Sequence, residues 1–417
     1  MNKCLFGLIL LAHVFGAGMV FAAAETEAGA AVVQSDKYTI TQHVYRQSVS
    51  HDKPNSATFD QQYFVLTPVT ASKLSPVFFV LGNETDTTHE KLAQLYSAYG
   101  EPEDMIFISS EHRGYGQSIT DGDQSKPDYV TIDAALKDYQ LLIQDLKQNY
   151  TGPWVVAGYS YGGALAIQFG HDFPDLAQVI LSSSAPIEWP FEIPAYAEQA
   201  RQNLGERFSG RLHRHLARLS HADATPGQRY AKELLVGVTA GLSQIEAFQS
   251  FKPYISLLSY LPTSVLMSVL DLLMPEDAYA WADARRLKQL SHEQAKTGRF
   301  NWYTWKYQQC TEVGTFYGAD LFHYSTQHHV EDCKATFGER PAYQHAAKWE
   351  VATMLRNTAI STVVVSGGQD PWMQLGVRPG HDFSNIEFIY KASGFHCPDR
   401  DDPVFGQQVL ERLRAYF

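Results

Sequence analysis

The chain has 417 residues, of which 45% are hydrophobic and 19% charged, a balance that excludes a disordered protein and leaves apolar side chains enough for a sizeable core. Its formal net charge of −12 repels phosphate backbones, so nucleic acid is not expected as a partner. No internal repeat, low-complexity tract or long block of one charge marks it as a repeat protein or a linker.

At the start, Lys3 precedes the apolar stretch Leu5 to Phe21, and Ala22-Ala23-Ala24 offers small side chains before Glu25. This is the pattern of an export signal over residues 1–24. It implies a protein exported to the periplasm or outside the cell, with no stable membrane span once the signal is removed. Cys4 would leave with it, so Cys310, Cys333 and Cys397 remain. Oxidising surroundings favour one disulfide, and Cys310 with Cys333 is the pair that closes a local loop. Neither Cys-x-x-Cys nor His-x-x-x-His accompanies them, so no metal or cofactor is expected; His328-His329 reads as a solvated loop pair.

Thr39–Val49 and Phe59–Leu66 have the β-branched and aromatic content of two strands joined by an Asp-, Pro- and Asn-rich turn. Val77–Leu81 and Met105–Ser109 are apolar on both faces, as strands buried between helix layers are, and His89–Tyr99 between them is helical in character. Ile132, Ala135, Leu136, Tyr139, Leu142, Ile143 and Leu146 share one helical face over Ile132–Leu146. Trp154–Ala157, Val179–Ser182, Thr362–Ser366 and Ile386–Tyr390 are further buried strands, with Gly163–Phe169 and Val404–Tyr416 as helices. Strand and helix alternate, which predicts an α/β class with a mostly parallel sheet. The helix-rich stretch 188–350 breaks the alternation and holds five of the seven tryptophans. It reads as an inserted helical lid or cap, leaving 25–187 and 351–417 as the catalytic domain. Pro262 and scattered serines divide the uncharged run Tyr254–Leu270 into two short helices rather than a membrane span.

Gly158-Tyr159-Ser160-Tyr161-Gly162-Gly163 fits G-x-S-x-G between a buried strand and a helix, the context of the nucleophile elbow in the α/β-hydrolase fold. The turn is too tight for side chains at its flanks, and the helix start aims N–H groups at negative charge developing near Ser160. In this fold the acid and the histidine follow the serine in the chain. Asp370 follows the strand Thr362–Ser366 and His396 follows Ile386–Tyr390, the positions each role requires. His381 precedes that last strand, and Asp382 and Asp399 are the weaker acids; Asp399 reads as a helix cap or loop brace. Ser160 would attack a carbonyl, His396 would carry the proton, and Asp370 would orient the imidazole. The oxyanion hole is expected from the N–H of Tyr161 and one from the Gly82-Asn83-Glu84 loop. Asn83 and Asn149 also stand in Asn-x-Thr sequons, but a buried oxyanion loop argues against glycosylation at Asn83. Without further information, an esterase or lipase shares this triad.

Several segments together resemble the prolyl carboxypeptidase and dipeptidyl peptidase 2 family of serine peptidases. They are Phe59–Phe64, Pro76–Glu84, Glu111–Ser118, Tyr129–Leu142, Ser160–Gly163, Trp305–Glu312 (W-x-Y-Q-x-C-T-E), Asp370-Pro371-Trp372 and Gly394–Asp399. The resemblance implies an exopeptidase cutting short peptides at proline-containing bonds, with Ser160, Asp370 and His396 as its triad. The elbow departs from the family's Gly-Gly-Ser by Tyr159, and the oxyanion loop from Gly-Gly-Glu by Asn83. Secreted tripeptidyl aminopeptidases are similar as well, although they usually carry Lys where Tyr161 stands. Glu111-His112-Arg113 reads as a buried ion-pair corner, Glu312 as scaffolding beside the disulfide or a ligand for a substrate amine, and Trp302, Trp305 and Tyr307 as cap core.

Overall fold

The computed structural model describes residues 32–417 apart from 54, 123–126, 221–225, 274–300 and 339–348. The expected export signal lies outside the described residues.

Among the described residues, nine strands form one sheet: β1 (Val32–Gln34), β2 (Tyr38–Ser48), β3 (Thr58–Pro68), β4 (Val77–Val80), β5 (Ile106–Ser110), β6 (Trp154–Tyr159), β7 (Val179–Ser183), β8 (Ser361–Gly367) and β9 (Ile386–Lys391). Their spatial order is β1-β2-β3-β5-β4-β6-β7-β8-β9. The pairs β1–β2, β2–β3 and β3–β5 are antiparallel, and every pair from β5–β4 onward is parallel. This is the α/β-hydrolase fold. The expected strands are all found, with ends shifted by a residue or two; β1 adds an edge strand that the sequence pattern did not announce.

The parallel strands are apolar in both directions because helices cover both faces. Successive side chains alternate faces. Val77, Phe79, Ile106, Ile108, Trp154 and Val156 therefore pack on one side, against α2 (Ile132–Leu146) and α3 (Tyr161–Asp172). Phe78, Val80, Phe107, Val155 and Ala157 pack on the other, against α1 (His89–Ala98) and the last helix, Pro403–Arg414. Three of these four helices start where a side chain satisfies their free N–H groups: Thr88 caps α1, Thr131 caps α2, and Asp402 caps the last one ahead of Pro403.

Between β7 and β8 the chain leaves the sheet. The helices α4 (Pro194–Leu204), α5 (Glu206–Leu219), α6 (Pro226–Gln244), α7 (Lys252–Leu258), α8 (Thr263–Leu273), α9 (Asn301–Gln308), α10 (Thr326–Phe337) and α11 (Val351–Asn357) occupy this excursion. Helices α4 to α8 enclose their own core of Ile193, Tyr196, Leu212, Leu216, Leu235, Leu266 and Phe322, which reaches the sheet domain at Leu375 and Trp372. A second small core holds Phe191, Tyr303, Tyr307, Phe316 and Phe337 around the Cys310–Cys333 disulfide. The uncharged run forms the two short helices α7 and α8, split at Pro262 as expected. His328 and His329 are not in a loop: both lie in α10, and buried His329 stacks on Phe316 and bonds the carbonyl of Tyr317 through Nε2. No described helix is long and apolar enough to cross a membrane.

The disulfide joins positions 23 residues apart, so it restricts the unfolded cap by loop-closure entropy. Replacing both cysteines with Ala is expected to cost about 3 kcal/mol, measured as a lower urea midpoint than that of the unmodified protein.

Candidate active site

Ser160 lies between the end of β6 and the first residue of α3, with φ 56° and ψ −125°. A non-glycine residue resists this conformation, so the surroundings must impose it. The flanking glycines show how. A Cβ on Gly158 would collide with the carbonyl of Gly162, and one on Gly163 would come within 2.8 Å of the Ala185 Cβ. The Ser160 N–H donates to the Ser183 carbonyl (2.9 Å), while its own carbonyl accepts from Gly163 and Ala164, which locks the turn from both sides. Its Oγ caps nothing and bonds nothing among the described residues, so it is left available.

Asp370 follows β8 and is fully buried; its Oδ1 accepts the Trp372 N–H (3.0 Å) and its Oδ2 bonds His396 Nδ1 (2.8 Å). That bond fixes the tautomer: Nδ1 carries a proton toward the carboxylate, and Nε2 is the nitrogen left for chemistry. Burial works against a charged imidazole here, but Asp370 and then Cys397 outweigh it and hold His396 well above the usual histidine range. The His396 loop is fastened over the end of β7. The Cys397 N–H donates to Ser184 Oγ (2.8 Å), and Asp399, two residues on, accepts from Ser183 Oγ. Ser183 is also the residue that receives the Ser160 N–H, so the elbow and the histidine loop meet on the same strand end.

A buried polar chain supports this edge. Tyr159, directly before Ser160, bonds Tyr99 hydroxyl to hydroxyl (2.8 Å), and Tyr99 donates to Asp399 Oδ2 (2.6 Å). Burial raises the Asp399 carboxyl although these hydroxyls oppose it. Asp399 thus braces its loop, as expected, whereas Asp402 is the helix cap. On the far side of the elbow, the Tyr161 hydroxyl accepts from Gln308 (3.1 Å) and meets His112 Nε2 (3.3 Å). His112 Nδ1 is engaged with the Arg113 carbonyl, and burial lowers its imidazole to about 4, so it is neutral.

The Glu111-His112-Arg113 corner is buried, but its ion pair is with Asp138 of α2 rather than within the corner. Arg113 meets Asp138 through two bonds of 2.6 Å and covers the carbonyls of Ser48, Val49 and Tyr129. Glu111 instead accepts the N–H groups of Thr87, Gln117 and Ser118. Glu312 accepts the N–H of Ile132 at the start of α2; burial raises its carboxyl to about 7. It is scaffolding, as are Tyr307 in the disulfide core and Trp305, whose ring lies 5.2 Å from that of Tyr161. In the loop after β4, Asn83 turns its Oδ1 back on Thr85, and its Cβ faces Gly162. That sets the Gly82-Asn83-Glu84 loop beside the elbow. His381 bonds Arg378 on an exposed turn, away from Asp370. No group of three or more metal-ligating side chains occurs among the described residues.

Residues 47–211, which include Ser160, match the family model of serine carboxypeptidase S28. The chain resembles the S28 serine peptidases. It is 33% identical over 160 residues to human lysosomal Pro-X carboxypeptidase, covering 36% of this chain and 32% of that protein. It is 24% identical over 405 residues to the mouse thymus-specific serine protease, covering 82% of this chain and 79% of that one. The chain therefore spans about a third of the length of the Pro-X carboxypeptidases it matches. Among solved structures, the proline iminopeptidase of Mycobacterium smegmatis aligns at a TM-score of 0.47 and 14% identity, over 90% of this chain and 98% of that one.

The S28-like motifs outside the matched stretch fall on the same edge of the sheet. Asp370-Pro371-Trp372 supplies the buried carboxylate, and Trp305–Glu312 bonds Tyr161 and the start of α2. The sequence did not reveal Tyr99, Ser183 and Ser184, because no motif marks a hydroxyl that acts only through its neighbours. Tyr159 was visible as a departure at the elbow; its phenol bonding Tyr99 is the physical counterpart.

Protonated His396 stabilises the fold fully below the ordinary histidine value, and this contribution is lost as pH rises through its raised one. Acting as a general base, as proposed below, His396 would have to be neutral, which places the acid limb of kcat/KM above the ordinary value near 6.5. Asp370→Asn removes the dominant raising charge and leaves burial in command. The imidazole should then titrate lower, as followed by histidine NMR, and kcat should fall by about 10⁴-fold.

Proposed function

We propose that this chain is a serine exopeptidase acting on short peptides at proline-containing bonds, with Ser160 as nucleophile, His396 as general base and acid, and Asp370 as its orienting partner. The single observation that carries the reading is the 2.8 Å bond from His396 Nδ1 to the buried Asp370 carboxylate, at the strand edge that presents Ser160 on a strained elbow. The S28 resemblance supports a peptide over other acyl substrates, and the names of the relatives support proline.

In the proposed reaction, Ser160 Oγ attacks the peptide carbonyl as its proton passes to His396 Nε2. The tetrahedral oxyanion is held by the N–H of Tyr161 and one N–H of the Gly82-Asn83-Glu84 loop. Such a donor is typically worth about 3–4 kcal/mol in the transition state. His396 then protonates the leaving amine, and water, activated by the same imidazole, releases the acyl group. Residues 25–187 and 351–417 form the catalytic domain in this reading, and 188–350 the cap that restricts access to chain ends. The disulfide supports export to an oxidising compartment, periplasmic or extracellular.

A fluorophosphonate probe is expected to label Ser160 at neutral pH and to leave Ser160→Ala unlabelled. Mass spectrometry of products from a peptide library should show cleavage beside proline near one terminus. Turnover of acyl esters with every peptide left intact would instead identify an esterase.

A further inference from the structure

Cap helix α6 ends against the catalytic loops, and its last four carbonyls show how. The final C=O groups of a helix have no partner within it and must be satisfied from outside. The Gly241 carbonyl accepts from the N–H of Ile245, and that of Leu242 from the side chain of Gln249. The Ser243 carbonyl accepts from Asn203 Nδ2 on α4 (2.6 Å), an amide that also donates to the Gln369 carbonyl beside Asp370. The last, that of Gln244, accepts the backbone N–H of His396 itself (3.0 Å).

The side chain of Gln244 completes the contact. Its Oε1 accepts from Trp372 Nε1 (2.8 Å) and from the Tyr196 hydroxyl (3.0 Å). An indole N–H can only donate, so the amide orientation is fixed with oxygen toward Trp372. Trp372 in turn donates its backbone N–H to Asp370, and Tyr196 packs edge-on against the indole with ring centroids 5.2 Å apart. One residue of the cap therefore holds the histidine loop through its backbone and the acid loop through its side chain.

Resting on the triad proposed above, we infer that Gln244 is a positioning residue that sets the geometry of the His396–Asp370 pair, so that the cap is part of the catalytic machinery and not only a cover. The physical basis is twofold. The two loops, joined to each other by the Gln369 N–H on the Gly394 carbonyl (2.8 Å), are both tied to one helix end as well, and near-attack geometry is sensitive to displacements of about 1 Å. The negative end of the α6 dipole also meets the loop whose imidazole must become positive during acylation.

The test compares Gln244→Met, which keeps the volume and removes the acceptor, with Gln244→Glu, which keeps an acceptor in the same place. In Gln244→Met, kcat on the cleaved peptide should fall about 10–100-fold with KM changed less than about threefold, and the acid limb of kcat should move down in pH. Gln244→Glu should recover most of kcat, with the acid limb at or above that of the unmodified enzyme. Tyr196→Phe, which removes one donor to the same oxygen, should give a smaller loss of the same kind and provides the measurement if Gln244→Met does not fold. A folded Gln244→Met enzyme with lower thermal stability but an unchanged kcat and pH limb would overturn the inference while leaving the triad intact. A failure of fluorophosphonate to label Ser160 in the unmodified protein would remove the triad and the inference together.

Discussion

The contact between Gly158 and the backbone of Gly162 is the constraint on which the rest of the site depends. It closes the strand-to-helix turn so tightly that Ser160 is forced to positive φ, and that conformation lifts its hydroxyl clear of any cap bond. A looser turn would let the serine relax into an ordinary helix cap, where its oxygen would be occupied by a backbone N–H. The strain persists because both strands and both glycines over-determine the turn.

Around that turn the molecule arranges its ionisable groups by burial and partner. His112 is fully buried and His396 mostly so, yet His396 is held well above the ordinary histidine range and His112 down at about 4. The difference is the partner. Asp370 offers a carboxylate to His396, whereas His112 finds a carbonyl and a phenol. Of these two imidazoles, only the one beside the serine loop is held in charged form, and His112 serves as a neutral brace.

Much of this was legible in the sequence because it is periodic or local. Runs such as Val77–Leu81 are apolar on both faces only in a sandwiched parallel sheet, and the face of Ile132–Leu146 is set by spacing alone. Asp370 and His396 were found by their place after two particular strands, a topological signal that does not require knowing the cap. What stayed hidden was long-range and carried by common residues. Gln244 looks like any surface glutamine at a helix end, and its importance comes from meeting residues 128 positions away. His328-His329 misled because two adjacent polar rings suggest solvent, while their helix turns His329 inward against Phe316. Arg113 finds Asp138 rather than its neighbour Glu111, because Glu111 is already saturated by backbone donors.

That guanidinium has a consequence for the antiparallel edge of the sheet. Besides Asp138, it gathers the carbonyls at the very end of β2, Ser48 and Val49, so the hairpin β2–β3 is riveted to α2 by a cation sealed from water. Peeling this edge away would leave an arginine and an aspartate in the interior without part of their coordination, at a penalty far larger than that of parting two ordinary strands. This single buried cation therefore couples the opening of the outer ribbon to that of the helix packed on the parallel centre of the sheet.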